Sequence, residues 1–193
     1  MKEEKIMIEV RVKELETIVN KYNCILDQIN ENNTNLFGCF TDISKYWNDD
    51  RKINLYTSYK LEKNRIIKLT DNIKEVKEVY EYLYNEYSTF GEVIKCNLDS
   101  KDNIIYKLDK IINQIQNLIY QYDNLGDISS YYNSHKIYTQ KSKLLDILDT
   151  YKTIKSKITA DYDSIKEIET EAQDKLNKIS IETFNLNKYE GNE

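Results

Sequence analysis

From Val12 to Ile43 the apolar residues recur at three- and four-residue steps: Val12, Leu15, Val19, Tyr22, Leu26, Ile29, Phe37, Phe40 and Ile43. Residues three and four apart are neighbours on a helix surface, so this spacing predicts one long helix with an apolar stripe. The polar run "NENNTN" interrupts the stripe at Asn33. After "WNDD" the pattern resumes, and Ile66, Leu69, Ile73, Val76, Tyr80, Leu83 and Tyr87 alternate strictly by three and four. That is a heptad seam, the signature of helices packed almost parallel along their length. At ~1.5 Å per residue, helices of about forty residues would be ~60 Å long.

The pattern repeats. "TDISKYWND" at 41–49 returns as "GDISSYYNS" at 126–134, so that Asp42, Ile43, Ser44, Tyr46 and Asn48 recur as Asp127, Ile128, Ser129, Tyr131 and Asn133. Trp47 falls on Tyr132, an offset of 85 residues. The same offset carries Val19, Leu26 and Phe37 onto Ile104, Ile111 and Tyr122 upstream, and Tyr59, Ile66 and Ile73 onto Leu144, Tyr151 and Ile158 downstream. Agreement in phase on both sides of a shared corner predicts a duplicated helical hairpin.

Polar residues mark the turns. Asn48 and Asp49, like Asn133 and Ser134, suit helix N-caps, because their side chains accept hydrogen bonds from the unpaired N–H groups of the next helix. Between the halves, "FGEVIKCNLDSKDN" offers Gly91 and then Asp99, Ser100 and Asp102 as a helix stop, turn and restart. From about residue 180 the seam is lost, which predicts a frayed tail.

Composition agrees with a helical reading: 193 residues contain 4 glycines and no proline. A net charge of −5, with signs interspersed, lacks the basic stripe that nucleic-acid binding requires. No apolar run reaches the ~18 residues of a membrane span, and the charged start "MKEEKIMIEVRVKEL" differs from a signal peptide. Cys24, Cys39 and Cys96 form no CxxC pair, and a lone His135 leaves no metal-ligand set, so no metal site and no cofactor are expected. Paired carboxylates are as common as any solvated helix requires and carry no signal for acid–base chemistry. A catalytic site is not expected.

A hairpin of two long helices with Trp47-Asn48-Asp49 at its corner resembles the WXG family, helical hairpins exported by type VII secretion systems, mostly of Gram-positive bacteria. The likeness covers residues 5–95 and, through Tyr132-Asn133-Ser134, residues 100–178. Asp49 stands where the family motif has glycine, and the second copy has no tryptophan. The resemblance implies a secreted substrate, or a partner or chaperone of a larger secreted toxin, with corner residues taking part in recognition. It also implies a Tyr-x-x-x-Asp/Glu export signal. Tyr46–Asp50, Tyr82–Glu86 and Tyr189–Glu193 match, and with 17 tyrosines and 33 acidic residues about three matches arise by chance. Only Tyr189–Glu193 follows the last helix.

The expected fold is therefore all-α: two tandem antiparallel hairpins of long helices, as an elongated four-helix bundle or a coiled-coil-like rod. The first hairpin spans 1–95 with its corner at 46–50, the second 96–180 with its corner at 131–135, and 181–193 forms the tail. Trp47, Asn48, Asp49, Tyr132 and Asn133 are the candidate recognition residues, and Tyr189 and Glu193 the candidate export signal. Trp47 can act as a plug over the hairpin core or as a binding anchor. The expected function is non-enzymatic, in type VII secretion, with a protein partner and residence in the cytoplasm before export without a cleaved signal. A homo-oligomer is also open. The alternative is a cytoplasmic coiled-coil adaptor or structural protein unrelated to secretion.

Overall fold

Long apolar stripes without proline give long helices. The computed structural model describes residues 7–47, 51–126 and 134–179. In chain order these form strand β1 (Met7–Arg11), helix α1 (Val12–Tyr46), helix α2 (Arg51–Ser88), strand β2 (Val93–Asn97), a 3₁₀ turn (Leu98–Ser100), helix α3 (Lys101–Gly126) and helix α4 (Ser134–Lys178). The architecture is two tandem antiparallel hairpins, α1 against α2 and α3 against α4. The polar run at 30–35 does not break α1, which continues through it with Asn33 half-buried.

The link between the hairpins was expected to be a turn, and it is a strand. Glu9 pairs with Lys95 at 3.0 Å, and the Val12 N–H donates to the Glu92 carbonyl at 3.0 Å, so β1 and β2 run antiparallel as a two-stranded ribbon. Successive strand residues point to opposite faces. Ile94 and Cys96 are buried and Ile8 and Val10 half-buried, whereas Met7, Glu9, Val93 and Lys95 are exposed. The ribbon also serves α1. Arg11, in the N-cap position, does not cap the helix with its side chain, which donates to Glu14 at 3.3 Å, and the Glu92 carbonyl takes up one of the N–H groups that a helix start leaves unpaired. Gly91 makes the approach to β2 with φ 131°, a conformation that a side chain would strain. Asn97 then starts the 3₁₀ turn by accepting from the Asp99 N–H at 3.1 Å.

The described residues divide into two compact units: 7–9 with 95–168, and 10–94 with 169–179. In the first, Ile112, Ile115 and Leu148 form a buried cluster, flanked by Ile111, Ile119, Leu144 and Tyr151. Three ion pairs fix the α3–α4 register: Asp123 with Lys141, Asp109 with Lys155 at 2.5 Å, and Lys101 with Asp163. Asp109 and Asp123 are two heptads apart, and so are Lys141 and Lys155, so all three pairs report one alignment. Cys96 is buried in the same unit beside the Tyr162 hydroxyl, and burial pushes its thiol pKa up.

In the second unit the last turns of α4 lie against the end of α2. Tyr87, 1% exposed, donates its hydroxyl to Glu169. Tyr82 donates to Glu171 at 2.7 Å, and the Lys175 ammonium sits 3.5 Å from the centre of the Tyr82 ring. Hydrogen bonds from Lys175 and Tyr82 hold the Glu171 carboxyl below its ordinary pKa. That contribution is present above the ordinary carboxylate range and is lost as the pH falls through the lowered value.

Candidate functional site

The corner half of the first hairpin has no core of its own. Of the described residues in α1 and α2, Leu26, Thr70, Val79 and Tyr87 are buried, and none between Leu26 and Thr70 is. The two helices are joined there by rings. Phe40 stacks on Tyr59 with centroids 4.4 Å apart, and Phe37 and Tyr56 lean on the same pair at 6.4 and 6.1 Å. Large apolar side chains remain outside, including Leu36, Phe37, Ile43, Ile53 and Leu61, each about half exposed or more. Exposed large apolar side chains gathered on one half of a hairpin are the kind of feature that marks interaction sites.

The 85-residue repeat accounts for the inner end of this open stretch; between Ile115 and Leu148 the second hairpin too has no buried residue among those described. The buried residues Ile112, Ile115 and Leu148 of the second hairpin correspond to Asp27, Asn30 and Lys63 of the first. Three positions that fill one hairpin are polar in the other, and all three are exposed. Burying an unpaired charge costs several kcal/mol, so this half stays open rather than closing on Lys63.

Lys63 rests instead over the Phe37 ring at 5.3 Å, and Lys60 over the Tyr56 ring at 4.8 Å. Such cation–ring contacts are worth about 0.5–1 kcal/mol at exposed sites. Neither ammonium has a carboxylate partner among the described residues. Lys52 reaches back across the corner and donates to the Ser44 carbonyl at 2.8 Å, covering one of the unpaired carbonyls at the end of α1. Along α2 the segment 51–68 holds Arg51, Lys52, Lys60, Lys63, Arg65 and Lys68 against Glu62 alone, a net charge of +5.

Of the residues singled out in the sequence, Trp47 is the one described. It follows the last turn of α1, its N–H donates to the Ile43 carbonyl at 3.1 Å, and its side chain is 36% exposed. Tyr46 beside it is 89% exposed. Asn48, Asp49, Tyr132, Asn133, Tyr189 and Glu193 lie outside the described residues. The exposed stripe and the polar triad Asp27, Asn30 and Lys63 did not figure among the expected site residues. Their signal lay in the mismatches of the repeat rather than in its matches.

Among the described residues no group of three His, Cys, Asp or Glu side chains could hold a metal ion, and no helix is long and apolar enough to cross a membrane. No protein-family model, curated protein or solved structure matches the chain.

Proposed function

We propose that this chain is a non-enzymatic interaction protein of a type VII secretion system, either a secreted substrate or the partner or chaperone of a larger secreted toxin. The observation that carries the interaction reading is the open corner half of the first hairpin, where Leu36, Phe37 and Ile53 are exposed and a ring stack joins the helices instead of a core. A partner helix laid along that face would supply the missing apolar layer. The secretion context rests on the WXG-like corner, with Trp47, Asn48 and Asp49 as the first-copy recognition residues and Tyr132 and Asn133 as their counterparts. Tyr189 and Glu193 are the proposed export signal. In this reading the protein resides in the cytoplasm until export.

The test is affinity purification of the tagged full chain from its native cell, alongside a secretion assay of wild type and a deletion from Ile181 onward. The expected result is a co-eluting secreted protein and appearance of the chain in the medium, with export lost on deletion. Unchanged export of the deletion variant removes Tyr189–Glu193 as signal. A chain that stays in the cell with no secreted partner overturns the secretion reading and favours the cytoplasmic adaptor.

A further inference from the structure

We infer that the partner of the first hairpin is an acidic amphipathic helix, recognised through Lys60 and Lys63 between apolar contacts from Ile53, Tyr56 and Ile67. The inference rests on the interaction reading above and specifies the chemistry of what binds.

Ile53, Tyr56, Lys60, Lys63 and Ile67 are spaced three, four, three and four along α2. They make a second seam beside Tyr59, which stacks on Phe40 of α1, and the half-buried Ile66 and Leu69. All but the two lysines are apolar or aromatic, and all five are exposed. A seam of this geometry fits one helix laid alongside, because heptad positions meet the complementary positions of a facing helix. Its centre carries two ammonium groups already oriented on ring faces and, among the described residues, without a carboxylate. A helix with Asp or Glu at the facing positions would pair both, while its flanking apolar residues cover Ile53 and Ile67.

The second hairpin supplies the chemical precedent within the same chain. There Lys141 and Lys155 meet Asp123 and Asp109 across the helix–helix seam. The repeat places Gly38 and Cys24 at the positions of those two aspartates and Tyr56 and Thr70 at those of the two lysines, so the first hairpin keeps neither side of that arrangement, and Lys60 and Lys63 stand where the second has Leu145 and Leu148. An anionic bilayer is the weaker occupant. The adjoining α1 surface carries Asp27, Glu31 and Asp42 against Lys45 alone, and a helix lying on a membrane needs a broad apolar face rather than a narrow seam broken by lysines.

The full chain is titrated with a synthetic four-heptad helix that has leucine at the a and d positions and glutamate beside them. The same helix with lysine for glutamate and vesicles containing phosphatidylglycerol serve as controls. Emission from Trp47, the only tryptophan, reports binding. The glutamate helix is expected to bind at least about tenfold more tightly than the lysine helix, with the preference shrinking as salt is raised. K60E/K63E should reverse the preference, and K60Q/K63Q should abolish it. Both lysines are exposed, so circular dichroism of the variants should match wild type. Equal binding of the two helices, indifference to K60E/K63E, preference for the vesicles, or self-association of the chain alone would each overturn the inference. A native partner that co-purifies equally well with K60E/K63E overturns the charge chemistry and leaves the interaction reading standing. Glutamate-helix binding without any native partner does the reverse.

Discussion

The two hairpins share one repeat and differ in what lies between their helices. The second closes on Ile112, Ile115 and Leu148 and locks its register with three lysine–aspartate pairs. The first has Asp27, Asn30 and Lys63 at the equivalent positions and holds its corner half together with stacked Phe40 and Tyr59. Apolar area removed from water contributes about 25 cal/mol per Å², so polar residues at those three places forgo the part of the driving force that Ile112, Ile115 and Leu148 supply to the twin. The difference teaches that one helical period can serve two ends. The same stripe becomes an interior when its central positions are apolar, and stays exposed when they are polar.

The largest test of that contrast exchanges the equivalent positions. Leu148→Ala should cost about 2–5 kcal/mol, as large-to-small changes in a packed interior do. Lys63→Ala, at the matching place in the first hairpin, should change stability by no more than about 0.5 kcal/mol. Urea unfolding of both variants decides the matter, and equal losses would mean that the two interiors are alike. An intermediate effect is expected at the closed end of the first hairpin. Tyr87→Phe keeps the ring but removes the hydroxyl that donates to the half-buried Glu169 carboxylate, at a cost of about 1–3 kcal/mol. Hydrogen exchange should then quicken in the last turns of α4 and not in the corner half of α2. The smallest effect belongs to the ion pairs. Asp109→Asn should cost about 0.2–1 kcal/mol at low salt, because both partners are partly solvated, and the loss should fade at high ionic strength. A larger loss that salt does not touch would make the pair a part of the core.

Much of the helical fold was legible in the sequence. The three-and-four spacing of Ile66 through Tyr87 and its echo at Ile158 through Ala172 report a local property, the side on which each residue of a helix points. Asn33 marked a real polar position in the stripe, yet α1 continues through it because an isolated polar residue does not break backbone hydrogen bonding. The ribbon was written in the alternation of "IMIEVRV" and "EVIKCN", but two short period-two runs flanking long helices are easily absorbed into helix ends. Of the candidate site, Trp47 was found and the open seam was not. Matching positions of the repeat identify the shared fold, whereas its mismatches identify the stretch that the first hairpin leaves exposed.

By itself the sequence determined that the chain forms long helices, that they come as a duplicated hairpin, and that Trp47 stands at the first corner. These follow from periodicity and from self-similarity, both readable along one dimension. Only the tertiary structure decided that β1 pairs with a strand beyond two whole helices and lends its carbonyl partner to the start of α1. It also decided that the buried Tyr87 donates its hydroxyl to the half-buried Glu169, and that, among the described residues, Lys60 and Lys63 settle on rings instead of carboxylates. Those outcomes depend on which distant groups meet and which are left without a partner, and residue spacing does not encode that competition.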